Sequence, residues 1–491
     1  MALPSKTDLA TLDIAYLGQP FVQVEAKALT STSLDIAYLG QPFVGAVAAA
    51  TGAYSIAADR GIFALTGNDA TLVKAGTAKV ITADRGSFAL TGNQAGLAHG
   101  VRITGDRGAF TLTGQQAGLA HAVKLDGGRG QFLLTGNSAT LADTDRIEGG
   151  TGAFTLGGNN ASLKQGYALA GSTGAFSFTG NPATLTKTAA DELTPIVGTF
   201  ALNGQPATLR QSYQLTAEVG TFTAAGQPAT LRHNPRIEAN TGAFALTGGT
   251  PALLRGRYLS GGAGTFIETG QPATFRRTWA IRPTAGTFVL TGNSATLTEI
   301  GAYEIDPIVG SFTLTGQPAQ LAQSQTLPVD AGTFALTGNA ADTRHNVRIE
   351  GGTGSFALTG NAAVTRHNPR LSGGTGTFAV TGQPTAFART RALAADPGNF
   401  NLTGNASALT EINAYVIAAT IGSFVLTGNQ SALKTTRSIT AATGVFALTG
   451  NNANLADTDR VFADTGAFVL TGLSAALVKT STARRRNVLI F

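Results

Sequence analysis

An all-β, elongated tandem-repeat array of 22-residue units is the architecture expected of this 491-residue sequence, with a β-solenoid favoured over an antiparallel β-meander. Three observations carry that expectation. One string, typified by GTFVLTGNSATL at residues 286–297, recurs nineteen times, its aromatic running from Phe63 to Phe468 at steps of mostly 22 residues. A period between about 20 and 50 residues marks a solenoid or other repeat array. Within each string, small or polar residues alternate with Phe and Leu, the two-residue rhythm of a strand with one buried face. The position after the TG pair is Asn or Gln in 17 of the 19 units, and like side-chain amides stacked on neighbouring coils form ladders. In the meander reading the same Asn is simply a turn residue.

Composition agrees with a folded, repetitive chain. Charged residues make up 13% of the sequence, against about 25% in ordinary soluble domains, so Thr, Ser, Asn and Gln must keep the surface wet. The 43% hydrophobic content is too high for a disordered linker. A net charge of +6 spread over this length is a weak field and gives no reason to expect a nucleic-acid partner. Cysteine is absent, which removes disulfides, thiolate nucleophiles and thiolate metal ligands from the reading. The N-terminal MALPSKTDLATLDIAYLG has no basic segment followed by a long apolar run, and no apolar run reaches about 18 residues, so neither a secretory signal nor a membrane helix is expected.

Taken in order, residues 1–50 hold two variant repeats. The string LDIAYLGQPFV occurs at 12–22 and again at 34–44, an offset equal to the main period. Tyr16, Phe21, Tyr38 and Phe43 are bulkier than their counterparts in the array and are expected to form a cap or attachment surface. Residues 51–478 form the array. Each unit divides into a first strand such as GTFALTG at 332–338, a second built on ATL, and a third carrying pairs such as Tyr213 and Leu215 or Tyr167 and Leu169. Steps of 24 residues occur at Phe176 to Phe200, Phe288 to Phe312 and Phe400 to Phe424, so the array repeats as five-unit blocks of 112 residues. Residues 479–491 are a basic and apolar tail, in which Arg484, Arg485 and Arg486 precede Leu489, Ile490 and Phe491. The tail leaves the repeat pattern and is expected to dock on a partner or cap the array.

Few residues stand apart as chemistry. The five histidines, His99, His121, His233, His345 and His367, share one column, eleven positions after the Phe. The same column accepts Lys74, Lys187, Arg255, Arg277, Arg389 and Lys479, so it reads as a solvated outward position and no metal site is expected. Arg210, Arg232, Arg344 and Arg366 extend this basic stripe, and an acidic column four residues before the Phe includes Asp106 and Glu218. Thr precedes the TG glycine in 16 of 19 units. Such a rank is similar to those of ice-binding solenoids, but it lies beside a turn and the second Thr that would flank it is irregular. No catalytic set or carboxylate pair breaks the periodic columns, so neither enzymatic activity nor a cofactor is expected.

The tandem GxFxLTGxxAxL units, with LDIAYLGQPFV at the start, resemble the repetitive structural proteins encoded among virion genes of tailed bacteriophages. The resemblance covers nearly the whole chain. It implies a non-enzymatic fibre, spike or decoration component, anchored at one end, assembled in the host cytoplasm and extracellular as part of the particle. Its expected partners are other virion proteins or copies of itself, with a homotrimer one form of such assembly. The alternative reading is a bacterial surface or extracellular-filament adhesin that binds glycans through its repeat faces.

Overall fold

A computed structural model describes strands at Thr11–Asp13, Ser33–Asp35, Ala50–Thr51, Ser55–Ala57, Ile62–Thr66, Asp69–Ala75 and Val80–Thr82. Between residues 85 and 490 it describes the chain apart from short segments such as 99–101, 121–123, 187–191, 233–235, 345–347 and 484–487. The chain divides into two compact units, Met1–Pro235 with Gly242–Gly248, and Arg236–Thr241 with Gly249–Phe491.

In both units the architecture is a parallel β-solenoid. Phe110 pairs with Phe132, Leu112 with Leu134 and Leu119 with Leu141 on parallel strands in the first unit. Phe334 pairs with Phe356 and Leu336 with Leu358 in the second. Partners therefore lie one sequence repeat apart and in register, whereas a meander would pair its strands antiparallel; the solenoid reading holds and the meander does not. The three expected strands per coil are present, for example Thr199–Gly204, Ala207–Arg210 and Gln214–Ala217. Where the connections are extended too, strands merge, as in Gln131–Gly149 and Ala153–Gly171.

The core follows from the alternation. Phe, Leu, Ala and Leu of each FxL…AxL string point inward and are buried, as Phe312, Leu314, Ala319 and Leu321 illustrate. The third strand adds one more buried column, with Ile103, Leu125 and Ile147 paired coil to coil. Burying each Phe contributes about 1.5–3 kcal/mol. Stacking the rings adds about 0.5–1.5 kcal/mol, so burial outweighs stacking.

That ordering of magnitudes explains a defect in the first unit. Phe88, Phe110, Phe132 and Phe154 stack face to face at 4.8–4.9 Å. Phe178 then occupies a Leu position, and two rings must share one coil. Phe154 and Phe176 tilt to 37° at 5.7 Å, and Phe176 and Phe200 to 32° at 6.4 Å, before parallel stacking resumes at Phe222. Both rings stay buried while the stack gives way. In the second unit, Phe387 is also an extra ring, yet Phe378 and Phe400 remain stacked at 4.7 Å. Its coil carries the shorter Val380 in a Leu column, which leaves room for the ring.

Glycines at the coil corners answer to close approach. A Cβ on Gly360 would overlap the carbonyl oxygen of Gly338, one coil earlier, whereas a Cβ on Gly118 in mid-strand would meet nothing within 4 Å. The longer sequence steps are absorbed at one place in the coil. Leu163 pairs with Leu185 at an offset of 22, but Ala168 pairs with Glu192 at 24, so the two extra residues lie between Thr186 and Glu192. The same comparison puts the later insertions between Thr298 and Glu304 and between Thr410 and Val416.

The two ends of the sequence show pairing as well. Leu12 pairs with Leu34 on parallel strands, which bears out the 22-residue offset of the leading repeats. At the other end Val488–Ile490 is a strand parallel to Phe468–Leu470, with Val488 opposite Phe468 and Ile490 opposite Leu470. The sequence pattern predicts a tail outside the repeat; these three residues instead enter the Phe and Leu register, because alternating Val and Ile fit the pleat that Phe and Leu occupy.

Candidate functional site

The first corner of each coil, Thr-Gly-Asn or Thr-Gly-Gln, builds the principal concave surface. Thr359, Thr381 and Thr403 end the first strands with their side chains outward and exposed. Asn361, Gln383 and Asn405 follow the glycine and are exposed on the other side. Glycine between them has no side chain, so the surface is recessed between a hydroxyl wall and an amide wall. In the second unit this recess is one groove of about 1010 Å³, running from Gly292 to Gly472 and lined by Thr, Gly, Asn and Gln throughout. In the first unit the same corners, from Gly158 to Gly248, line a shorter groove of about 450 Å³.

The hydrogen bonds of this corner run along the stack. Gly338 N–H donates to the Thr359 carbonyl and Gly360 N–H to the Thr381 carbonyl, each at 2.9 Å. Amides bond coil to coil as well: Asn361 Nδ2 donates to Asn339 Oδ1 at 3.5 Å and Asn405 Nδ2 to Gln383 Oε1 at 3.3 Å. The expected amide ladder is therefore present at these rungs. A primary amide offers two donor hydrogens and an acceptor oxygen with two lone pairs. One rung uses only part of that capacity, and the remainder faces the groove and solvent.

Behind the amide wall, the alanine column turns polar over three coils. Thr385, Ser407 and Ser431 replace Ala and are buried. Thr385 Oγ1 donates to Ser407 Oγ at 3.1 Å; Ser407 Oγ lies 2.8 Å from the Thr427 carbonyl, and Ser431 Oγ 2.8 Å from the Thr449 carbonyl. These hydroxyls tie one coil to the next beneath the groove.

One buried acid stands apart from the groove. Glu268 occupies a Leu column opposite Leu290 and is fully buried. Its Oε1 accepts the Thr274 backbone N–H at 3.1 Å, and Oε2 has no partner. Burial pushes its carboxyl well above the usual carboxylate range, and the Thr274 hydrogen bond only partly opposes this. The exposed charges behave differently. Arg210 and Arg232 pair in register at exposed positions, as do Arg344 and Arg366, and Asp106 and Glu218 are exposed, so these members of the two charged columns are solvated. Lys124 bridges to Glu148 on the next coil at 2.9 Å, a half-exposed pair of the kind that contributes about 0–1 kcal/mol.

Of the expected attachment residues, Tyr16, Phe21, Tyr38, Phe43, Arg484, Arg485, Arg486 and Phe491 lie outside the described residues, and so do the five histidines. Leu489 and Ile490 lie in the strand that pairs with Phe468–Leu470. The groove is not among the sequence-based expectations, although each of its three columns is visible in the sequence. What the columns do not state on their own is that glycine between two outward polar residues leaves a depression. Glu268 is legible too, since FIETG stands where other units read FxLTG. No protein-family model, curated protein or solved structure matches the chain.

Proposed function

We propose that this chain is a non-enzymatic structural component of a phage virion, a fibre, spike or decoration element anchored at one end. The observation that carries the reading is the in-register identity of successive coils: Phe, Leu, Ala and amide columns continue from coil to coil, so adding or removing a repeat changes extent and leaves the coil intact. That is the property a spacer element needs, and it agrees with the resemblance of the GxFxLTGxxAxL units to repetitive virion proteins. The partners are other virion proteins or further copies of the chain, engaged through the leading variant repeats or the tail. The protein is assembled in the host cytoplasm and reaches the exterior on the particle.

The test is immunogold electron microscopy and co-purification of the tagged chain from an infected or induced host. Tagged protein at a fixed position on particles, released together with capsid or tail proteins, is the expected result. Tagged protein confined to the cell envelope, with none on particles, would overturn the reading.

A further inference from the structure

We infer that the Thr-Gly-Asn/Gln groove of the second unit is a binding site for a linear, uncharged polysaccharide lying along the stack. The class of ligand follows from four features of the groove. Its length spans the corners from Gly292 to Gly472, which suits a polymer and exceeds any compact small molecule. Its lining consists of Thr, Gly, Asn and Gln, so it has neither the charge to select an anionic or cationic polymer nor the apolar side chains to seat an amphipathic helix. Its backbone amides are engaged between coils, as Gly338 with Thr359 and Gly360 with Thr381, so an added peptide strand finds no free edge there. Its walls carry exposed hydroxyls and amides with unused donors and acceptors, and these suit a chain of sugar hydroxyls, each of which both donates and accepts.

The second observation is recurrence. The first unit carries the same recess on the same three columns, lined by Thr179, Gly180, Asn181, Gln205 and Gln227 among others. Each coil contributes one weak polar contact set, and a polymer engages several together. Affinity therefore grows with ligand length as successive contacts become intramolecular. The site is separate from the structural role proposed above and is tested without reference to a virion.

The experiment is affinity electrophoresis of the intact chain through gels containing dextran, a galactomannan or amylose, with a plain gel and an alginate gel as controls. At least one neutral polymer is expected to retard the protein, and alginate to do so no better than that polymer. The double substitution Thr359→Lys with Thr403→Lys places long charged side chains on the hydroxyl wall and is expected to weaken retention at least ten-fold. Ser355→Lys, on the same strand as Thr359 but outside the groove, is expected to leave retention unchanged; circular dichroism checks that both variants fold. Absence of retardation in every neutral gel overturns the inference, as does retention by alginate alone or equal loss in both variants. Self-association of the parent chain that the double variant abolishes, without any neutral retention, would assign the groove to a second copy and also overturn it.

Discussion

Thr385 Oγ1 donates to Ser407 Oγ at 3.1 Å across adjacent coils, in a buried column that elsewhere holds alanine. Ser407 in turn reaches the Thr427 carbonyl at 2.8 Å, so the two hydroxyls form one continuous chain. Removing one member strands the other. Ser407→Ala is expected to destabilise the protein by about 1–3 kcal/mol, because it leaves the Thr385 hydroxyl buried without its acceptor. The double substitution Thr385→Ala with Ser407→Ala restores the parent column and is expected to cost less than the two single losses added together. A double-mutant cycle in urea measures the difference; additive losses would refute the coupling.

Glu268 gives a pH dependence of known sign. Its folded-state pKa lies above its ordinary value of 4.5, so its protonated form is favoured in the fold. Stability from this site is fully present below that ordinary value and declines as pH rises through the folded pKa. Glu268→Leu restores the column and is expected to raise stability at neutral pH by about 1–3 kcal/mol. It should also flatten the dependence on pH above 4.5. Thermal melts of parent and variant across that range provide the check; a parallel pair of pH profiles would count against a titrating Glu268.

Glycines at corners and within strands are expected to separate cleanly. Gly360→Ala forces a Cβ onto the Gly338 carbonyl and can be relieved only by moving backbone, at an expected cost of more than about 2 kcal/mol. Gly118→Ala meets open space and is expected to be neutral, or stabilising by up to about 1 kcal/mol through the unfolded chain. Denaturation midpoints of the two variants decide the matter, and equal effects would mean that coil spacing does not depend on the corner glycine.

A block deletion tests modularity. Excising residues 312–423 joins Ser311 to Phe424 and removes one 112-residue block from the second unit while keeping the column order. The shortened chain is expected to retain its β circular dichroism spectrum and to lose five coils of extent, read by small-angle scattering as a shorter second unit. Global unfolding would show that coils depend on more than their neighbours.

Much of this architecture can be read from residues. The Phe, Leu and Ala columns, the three strands and the amide ladder all follow from a strict period, since a repeated unit stacked on itself must place like residue on like residue. Exceptions to the period are harder to interpret. Phe178, Val380, Glu268 and Thr385 each break a column, but their effects depend on which neighbours yield, and ring tilt or a partnerless carboxyl oxygen is a property of packing. The groove is hidden in the sequence because a glycine reads there as a turn residue, whereas its lack of a side chain also shapes the surface. The tail is hidden because Val488 and Ile490 join the register at an offset of 20, outside the established period.

The longer steps all fall between the second and third strands, where Leu163 with Leu185 and Ala168 with Glu192 bracket the extra residues. Sequence added there changes neither register nor core. Each coil thus offers one attachment point for foreign sequence, at intervals of about 4.8 Å along a unit. A peptide epitope grafted after Thr186, Thr298 or Thr410 would be displayed at an address set by coil number, making the chain a graduated display scaffold.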